Sequence, residues 1–129
     1  MKIRTFLVED NATIRENLVG FLEDLAEVEN LGFAEAEKPA VGWLQAPDHE
    51  WDLVIVDMFL REGSGLGVLQ SIAHRPPGRR AVVLSNYATP EIRRRCMSLG
   101  ADAVFDKSSE VDALVEYCLA LQSPGHGPH

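Results

Sequence analysis

Cysteine is scarce in this chain, and long hydrophobic runs are absent. Cys96 and Cys118 are the two cysteines among 129 residues. Each falls in a segment of helical periodicity, so we interpret both as small core residues of a protein from a reducing compartment and not as a disulfide. Neither has a neighbouring cysteine or histidine at the spacing of a metal site. No stretch approaches the about 18 apolar residues of a transmembrane helix, and no signal-peptide pattern opens the chain, so we expect a cytoplasmic protein without membrane contact.

Positive charge is also in short supply. The chain has 12 Lys and Arg against 20 Asp and Glu, which gives a formal net charge of −8. Without a basic footprint, direct binding to nucleic acid is not expected, whereas cations and basic partner surfaces suit the acidic balance. The length suffices for one domain, which we place at residues 1–122. Residues 123–129 are rich in Pro, Gly and His, and we expect a disordered tail there.

Short apolar runs alternate with segments of helical periodicity along the chain. The runs predict five strands, at residues 3–8, 31–35, 52–57, 81–84 and 103–105. The run at 52–57 has four consecutive apolar residues, three of them β-branched, as in a strand that is buried on both faces. Buried strands that alternate with amphipathic helices indicate an α/β domain, with a parallel sheet covered by helices on both faces.

Capping residues indicate where the predicted helices begin and end. Asn11 is suited to cap the first helix, which we expect to end near Val28. Thr89 is suited to cap the fourth helix, and Ser108 or Ser109 the last. The apolar face of the first helix is predicted to contain Ile14, Leu18, Phe21, Leu22 and Leu25.

Polar side chains follow four of the five predicted strands. Glu9 and Asp10 come directly after the first strand, and Asp57 closes the third. Ser85 follows the fourth strand, and Lys107 stands just after the fifth. Because the carboxyl ends of parallel strands open on one edge of a sheet, we expect three carboxylates, one hydroxyl and one ammonium group to converge there.

This set of groups suits phosphoryl chemistry. Three carboxylates repel one another unless a cation neutralises them, and an oxygen-rich acidic cluster with open positions suits Mg²⁺. An ammonium group can offset the charge of a phosphate, and a hydroxyl can donate to a phosphoryl oxygen. Aspartate is an established covalent acceptor of phosphoryl groups. The pattern therefore indicates phosphoryl transfer onto a carboxylate.

Each of these residues also has an ordinary structural explanation. Glu9 and Asp10 could simply stabilise the positive end of the next helix. Asp57 and Ser85 could serve turns, and Lys107 could be a solvated loop residue. A coincidence at every strand end is a weaker explanation than a shared site.

The chain resembles the receiver domain of two-component response regulators over residues 2–121. The matching stretches are 6–11, 52–57, 82–85 and 100–102, the last leading to Lys107. This resemblance implies a flavodoxin-like (βα)5 fold, with a doubly wound five-stranded parallel sheet of strand order 2-1-3-4-5.

The resemblance also implies a role for each polar group. Asp57 is expected to be the phosphoacceptor, with a sensor histidine kinase or a histidine phosphotransfer protein as donor. Ser85 is expected to move to the phosphoryl group, and Lys107 to pair with it. The expected ligands of Mg²⁺ are Glu9, Asp10, Asp57 and the backbone carbonyl of Phe59.

The sequence departs from the family pattern at three positions. Arg61 stands where the family often has proline, and Lys107 is followed by Ser108 instead of the common proline with its cis peptide bond. Val104 occupies the aromatic switch position, with Phe105 beside it. None of these departures touches the five chemical groups.

Large side chains stand where water would approach a phosphoryl group in the family. These are Phe59, two residues after the acceptor Asp57, and Tyr87, two residues after Ser85, whose hydroxyl we call the switch hydroxyl. We therefore expect slow self-dephosphorylation, because the attacking water is partly excluded and is not positioned.

The sequence shows no DNA-binding segment. We therefore expect output through a protein partner, or else the chain is a fragment of a longer regulator. The resemblance places partner binding on the face of the fourth helix, fifth strand and fifth helix. Arg93, Arg94 and Arg95 either form a basic band on that face or are simply solvated. A phosphorylation-independent interaction module on the same fold is the alternative. A phosphatase with an aspartyl nucleophile is disfavoured, because Phe59 occupies the place of its second acid.

Overall fold

Five strands and five helices alternate in the structure, a computed structural model that describes residues 2–122. The strands are β1 Ile3–Val8, β2 Val28–Ala34, β3 Leu53–Asp57, β4 Arg80–Ser85 and β5 Ala103–Asp106. The helices are α1 Ala12–Ala26, α2 Glu37–Gln45, α3 Gly65–Ser71, α4 Pro90–Ser98 and α5 Val111–Gln122. The tail expected at 123–129 lies outside the described residues. Across residues 2–122, every helix is too short or too polar to span a bilayer.

The strands form one parallel sheet in the order β2-β1-β3-β4-β5. Both the parallel sheet and this order confirm the prediction. Because every strand runs in the same direction, the carboxyl ends of all five open on one edge, and each helix returns the chain to the opposite edge.

Alternate residues of the central strand enter two separate hydrophobic layers. Val54 and Val56 pack on one face, in the layer beneath α2, α3 and α4, while Leu53 and Ile55 face the layer of α1 and α5. All five residues of β3 are buried, as the run of apolar residues predicts. Full burial of one such aliphatic side chain contributes about 1.5–3 kcal/mol, so this strand is fixed in place from both sides.

Each hydrophobic layer contains one of the two cysteines. Cys96 of α4 lies in the first layer and Cys118 of α5 in the second, both fully buried and unpaired. Burial raises the pKa of the Cys118 thiol to about 12 and also raises the pKa of Cys96. The interpretation of both as core residues is confirmed.

The first helix is shorter than predicted and buries a narrower stripe. It ends at Ala26 because Glu27 takes a left-handed backbone conformation, with φ of 51°. Asn11 caps its start, accepting a hydrogen bond from the Ile14 amide at 2.9 Å. Ile14 and two further apolar residues predicted for the core stay at least a third exposed, whereas the buried stripe comprises Arg15, Leu18, Leu22 and Ala26.

Two further boundaries differ from the prediction. Strand β2 spans Val28–Ala34 instead of 31–35, because residues 28–30 also pair with β1, ahead of a register shift between Thr5 and Phe6. Helix α5 begins at Val111, and neither predicted serine caps it. The amides of Ser108 and Ser109 instead donate to the Asp106 carboxylate in the preceding turn, at 2.8 and 3.1 Å.

Both tryptophans are packing residues, as predicted. Trp43 is stacked between Phe6 and His49, with ring centroids 4.1 and 4.2 Å away. Trp51 is buried, and its indole N–H donates to the Leu44 carbonyl at 3.0 Å. Trp51 precedes β3 and therefore lies at the edge of the sheet opposite to Asp57.

Candidate functional site

Three carboxylates meet at the carboxyl edge of the sheet. Glu9 and Asp10 follow β1, and Asp57 ends the adjacent strand β3. One oxygen from each carboxylate can be chosen so that all three lie within 4.8 Å of one another. Glu9 and Asp57 are buried, while Asp10 is partly exposed. The sequence prediction that these three groups converge therefore agrees with the geometry.

Lys107 contacts two of the three carboxylates. Its Nζ lies 2.7 Å from Glu9 Oε1 and 3.3 Å from Asp57 Oδ2. The Lys107 side chain is 11% exposed, so little water is available to screen these contacts. Its backbone amide donates to the Ser85 carbonyl at 2.9 Å, which fixes the start of the lysine against the end of β4.

The pKa values of this ion cluster are shifted by burial and by charge. Burial raises the pKa of Asp57 to about 6, against the opposing charge of Lys107, and the neighbouring Glu9 raises it further. Burial would lower the pKa of Lys107, but its hydrogen bond to Glu9 and the charge of Asp57 outweigh that effect and raise it. An excess of negative charge thus remains in a buried site, as expected where a cation binds.

Ser85 is fully buried at the end of β4. Its hydroxyl oxygen accepts a hydrogen bond from the Tyr87 amide at 3.0 Å. The hydroxyl is therefore tied to the loop that follows β4, and any movement of Ser85 would change that loop.

The loop after Asp57, residues 58–64, is a narrow hairpin that we call the acceptor loop. Phe59 pairs with Ser64 across it, and the Gly65 amide donates to the Met58 carbonyl at 2.9 Å. The Phe59 amide donates to Asp57 Oδ1 at 3.3 Å. The Phe59 carbonyl, predicted as a metal ligand, thus lies in a loop that is bonded to the acceptor side chain.

Two charged residues that the sequence analysis did not single out support the site. The Arg15 guanidinium donates to the Glu9 carbonyl at 2.9 Å and to Glu35 at 3.3 Å, and it stacks on the Phe33 ring at 3.7 Å. Its position on the buried stripe of α1 was the available signal. Glu37 acts on the acceptor loop from the opposite side, accepting from the Ser64 amide at 2.9 Å.

Arg93 is not part of a solvated basic band. Its guanidinium donates to the carbonyls of Ala88 and Val104, each at 2.9 Å, and to Glu110 at 2.5 Å. Arg94 is exposed, like the next residue along the helix. Only one of the three arginines therefore joins α4 to β5 and to the start of α5.

The family departures have visible structural consequences. Val104 is buried beneath α4, and Phe105 points to the other layer, where it contacts Tyr117 edge to face at 5.8 Å. The Lys107–Ser108 peptide bond is trans, as are the other peptide bonds within residues 2–122.

The donor set fits Mg²⁺. Carboxylate oxygens are hard ligands, and Mg²⁺ is usually held by one or two carboxylates, with its other positions left for water and phosphate oxygens. Glu9, Asp10 and Asp57 supply such oxygens in one cluster. Lys107 alone offsets only part of their charge.

Comparisons of this sequence with a family model and with curated proteins agree on one family. The family model described as the response regulator receiver domain matches residues 5–118. A probable transcriptional regulatory protein of Picosynechococcus is 34% identical over 93% of this chain and 49% of its own length. The DNA-binding transcriptional activator DevR/DosR of Mycobacterium tuberculosis is 27% identical over 77% of this chain and 45% of its own length. The chain spans about half the length of these curated relatives.

Solved structures share the fold. The receiver domain of a Francisella response regulator superposes with a TM-score of 0.81 at 16% identity, over 93% of this chain and 96% of that one. A Burkholderia pseudomallei response regulator protein, solved with a phosphorylated aspartic acid, a calcium ion and citrate, gives 0.75 at 22% identity, over 96% and 68%. At these identities the likeness concerns the fold alone.

Proposed function

The chain belongs to the response regulator receiver domain family, and on that premise we propose that it accepts a phosphoryl group on Asp57 and switches a partner-binding surface in response. The donor is a sensor histidine kinase or a histidine phosphotransfer protein. Members of this family are phosphoacceptor switches and not enzymes that act on a separate substrate.

One observation carries the proposal: Lys107 contacts both Glu9 and Asp57 in the buried acidic cluster. An interaction module without phosphorylation has no need of a buried ammonium group between two carboxylates, since burial of charge is costly. The five groups expected from the sequence are all present at one edge of the sheet, so this alternative is not favoured.

The chemistry is a displacement at phosphorus. An Asp57 carboxylate oxygen attacks the phosphorus of a phosphorylated histidine, the new O–P bond forms as the P–N bond breaks, and the imidazole leaves. With a pKa of about 6, Asp57 is mostly ionised at neutral pH and can act as the nucleophile. Lys107 offsets negative charge on the acyl phosphate.

Mg²⁺ would be held by Glu9, Asp10, Asp57 and the backbone carbonyl of Phe59. When bound, it supplies positive charge against the phosphoryl oxygens. The Glu9 side chain is held by two contacts within the chain: the Asn11 backbone amide donates to it at 3.1 Å, and Lys107 Nζ lies 2.7 Å from its other oxygen.

Ser85 carries the signal outward. Its hydroxyl oxygen accepts a hydrogen bond from the Tyr87 amide at 3.0 Å. On phosphorylation the hydroxyl would give up this bond and donate to the phosphoryl group. The loop after β4 leads directly into α4, so that movement reaches the face of α4, β5 and α5. We place the output partner, a protein and not nucleic acid, on that face, and we place the chain in the cytoplasm.

The test is phosphorylation by a small-molecule donor such as acetyl phosphate with Mg²⁺, followed by intact mass. Asp57→Asn is expected to abolish labelling. Asp52→Asn is the matched control, because Asp52 lies just before β3, at the opposite edge of the sheet, and bonds to Arg4. Label that persists in Asp57→Asn would overturn the assignment. Phosphotransfer from a panel of histidine kinases would then identify the donor.

A further inference from the structure

Asp10 is bonded to the tip of the acceptor loop. Its Oδ2 accepts a hydrogen bond from the backbone amide of Arg61 at 2.7 Å. This is a short, charge-assisted bond between a carboxylate and a backbone N–H. The Arg61 side chain is exposed and takes no part in the bond, so the bond depends on the presence of an amide and not on the guanidinium.

The acceptor loop donates to two different carboxylates of the site. The Phe59 amide donates to Asp57 Oδ1 at 3.3 Å, and the Arg61 amide, two residues later, donates to Asp10. One short loop thereby holds two of the three proposed metal carboxylates.

The opposite side of the acceptor loop is fixed by Glu37. The Glu37 amide donates to the Glu62 carbonyl at 3.1 Å, and its carboxylate accepts from the Ser64 amide at 2.9 Å. A Cβ atom at Gly63 would lie 2.4 Å from the Glu37 Cβ, so the contact leaves no space for a side chain there. With Glu37 holding it at one side, the loop presents its Arg61 amide to Asp10 from a fixed position.

We infer that the Arg61 amide is a positioning group for the metal site, which orients the Asp10 carboxylate toward the ion. This inference rests on the proposed function, because it assigns a role in binding the Mg²⁺ on which phosphorylation depends. A carboxylate has lone pairs enough to accept one N–H and to bind a metal through its other oxygen. Groups that orient ligands in this way typically alter metal affinity by about 10–100-fold when removed.

A consequence is that metal binding and the acceptor loop are coupled. If the hydrogen bond from the Arg61 amide holds Asp10 in the orientation that binds metal, then bound metal must in turn stabilise that hydrogen bond. Mg²⁺ should therefore stiffen residues 58–64. The α2 helix should share this effect through Glu37.

The experiment compares Arg61→Pro with Arg61→Ala. Both variants lack the guanidinium, so its charge cancels from the comparison, but only the proline variant lacks the amide. Each is titrated with Mg²⁺ alone, and binding is followed by the backbone amide resonances of Glu9 and neighbouring residues. We expect half-saturation of the proline variant at about tenfold more Mg²⁺ than the alanine variant.

A second measurement covers the case in which Arg61→Pro does not fold. Without metal, the Arg61 amide of the natural sequence should exchange with solvent more slowly than in Asp10→Ala, by about tenfold, because the bond to Asp10 protects it. Asp24→Ala, which removes an exposed carboxylate from α1, serves as a control and should leave the exchange rate of this amide unaltered.

The outcomes separate the two proposals. Equal half-saturation in the two Arg61 variants, or unchanged exchange in Asp10→Ala, overturns this inference and leaves the proposed function standing. If the natural chain shows no saturable Mg²⁺ binding, the proposed function fails together with the inference.

Discussion

The ring of Phe59 meets the ring of Tyr87 edge to face, with centroids 5.6 Å apart. Phe59 is in the acceptor loop and bonds through its amide to Asp57, while Tyr87 bonds through its amide to Ser85. Both side chains are more than half exposed, at 54% and 62%. The aromatic pair thus joins, on the solvent side, the two loops that follow the acceptor and the switch hydroxyl.

The aromatic pair predicts a long-lived phosphorylated state. Replacing it with polar groups, as Phe59→Asn with Tyr87→Glu, should admit and orient water and accelerate loss of the phosphoryl group by about tenfold or more. The decay is followed by intact mass after removal of the small-molecule donor. Tyr87→Phe keeps the ring and should decay as slowly as the natural chain. A double variant that decays no faster would contradict the prediction.

Asp57 should make the fold less stable as pH rises. Its pKa in the folded protein is about 6, above the ordinary 3.8, so between these values the folded state holds a proton that the unfolded chain has lost. The free energy of unfolding therefore falls as pH increases through that window. Asp57→Asn removes this effect and should be more stable at pH 7 by on the order of 2 kcal/mol.

Urea unfolding in EDTA, at a series of pH values, checks this second prediction. EDTA keeps divalent cations from favouring the ionised carboxylate. The stabilities of the natural chain and of Asp57→Asn should converge toward pH 4 and separate toward neutrality. Parallel profiles would show that Asp57 titrates normally in the folded protein.

Arg93 should contribute to stability in a way that its neighbour does not. It donates to two backbone carbonyls, those of Ala88 and Val104, which lose their partner in Arg93→Met. We expect a loss of about 1–2 kcal/mol on chemical denaturation. Arg94→Met, at an exposed position of the same helix, should change stability by less than about 0.5 kcal/mol. Equal effects of the two substitutions would show that the hydrogen bonds of Arg93 contribute no more to stability than the exposed Arg94 side chain does.

Two glycines should respond to alanine in opposite directions. A Cβ atom at Gly65 would lie 2.4 Å from the Asp57 carbonyl oxygen, whereas one at Gly20, in α1, meets nothing within 4 Å. Gly65→Ala should destabilise the protein by about 1–3 kcal/mol, because backbone must move. Gly20→Ala should stabilise it by about 0.5–1 kcal/mol. Thermal unfolding of the two variants beside the natural chain tests both signs.

The sequence predicts the sheet well because its strands are buried on both faces. Short runs that are mostly apolar identify β1, β3, β4 and β5 to within one residue at each end. The edge strand β2 is the poorest prediction, since Glu29 and Asn30 interrupt its apolar pattern and its pairing is irregular. The end of α1 is also missed, because the left-handed residue there is Glu27 and not a glycine.

The converging side chains of the site were predictable because each follows a strand. The supporting contacts were not. The hydrogen bond from the Arg61 amide to Asp10 could not be predicted, because every residue type except proline has a backbone amide. Arg93 and Arg94 look equivalent in sequence, and only the rotation of α4 against β5 distinguishes them.

The placement of one thiol on each side of the sheet gives the molecule two native reporters. Cys96 becomes reactive only when the α2–α3–α4 side loosens, and Cys118 only when the α1–α5 side does. Pulsed alkylation followed by peptide mass analysis would read the two rates from a single sample of unaltered protein. Equal rates would mean that the domain opens as one cooperative unit. Unequal rates would show which side of the sheet opens more often.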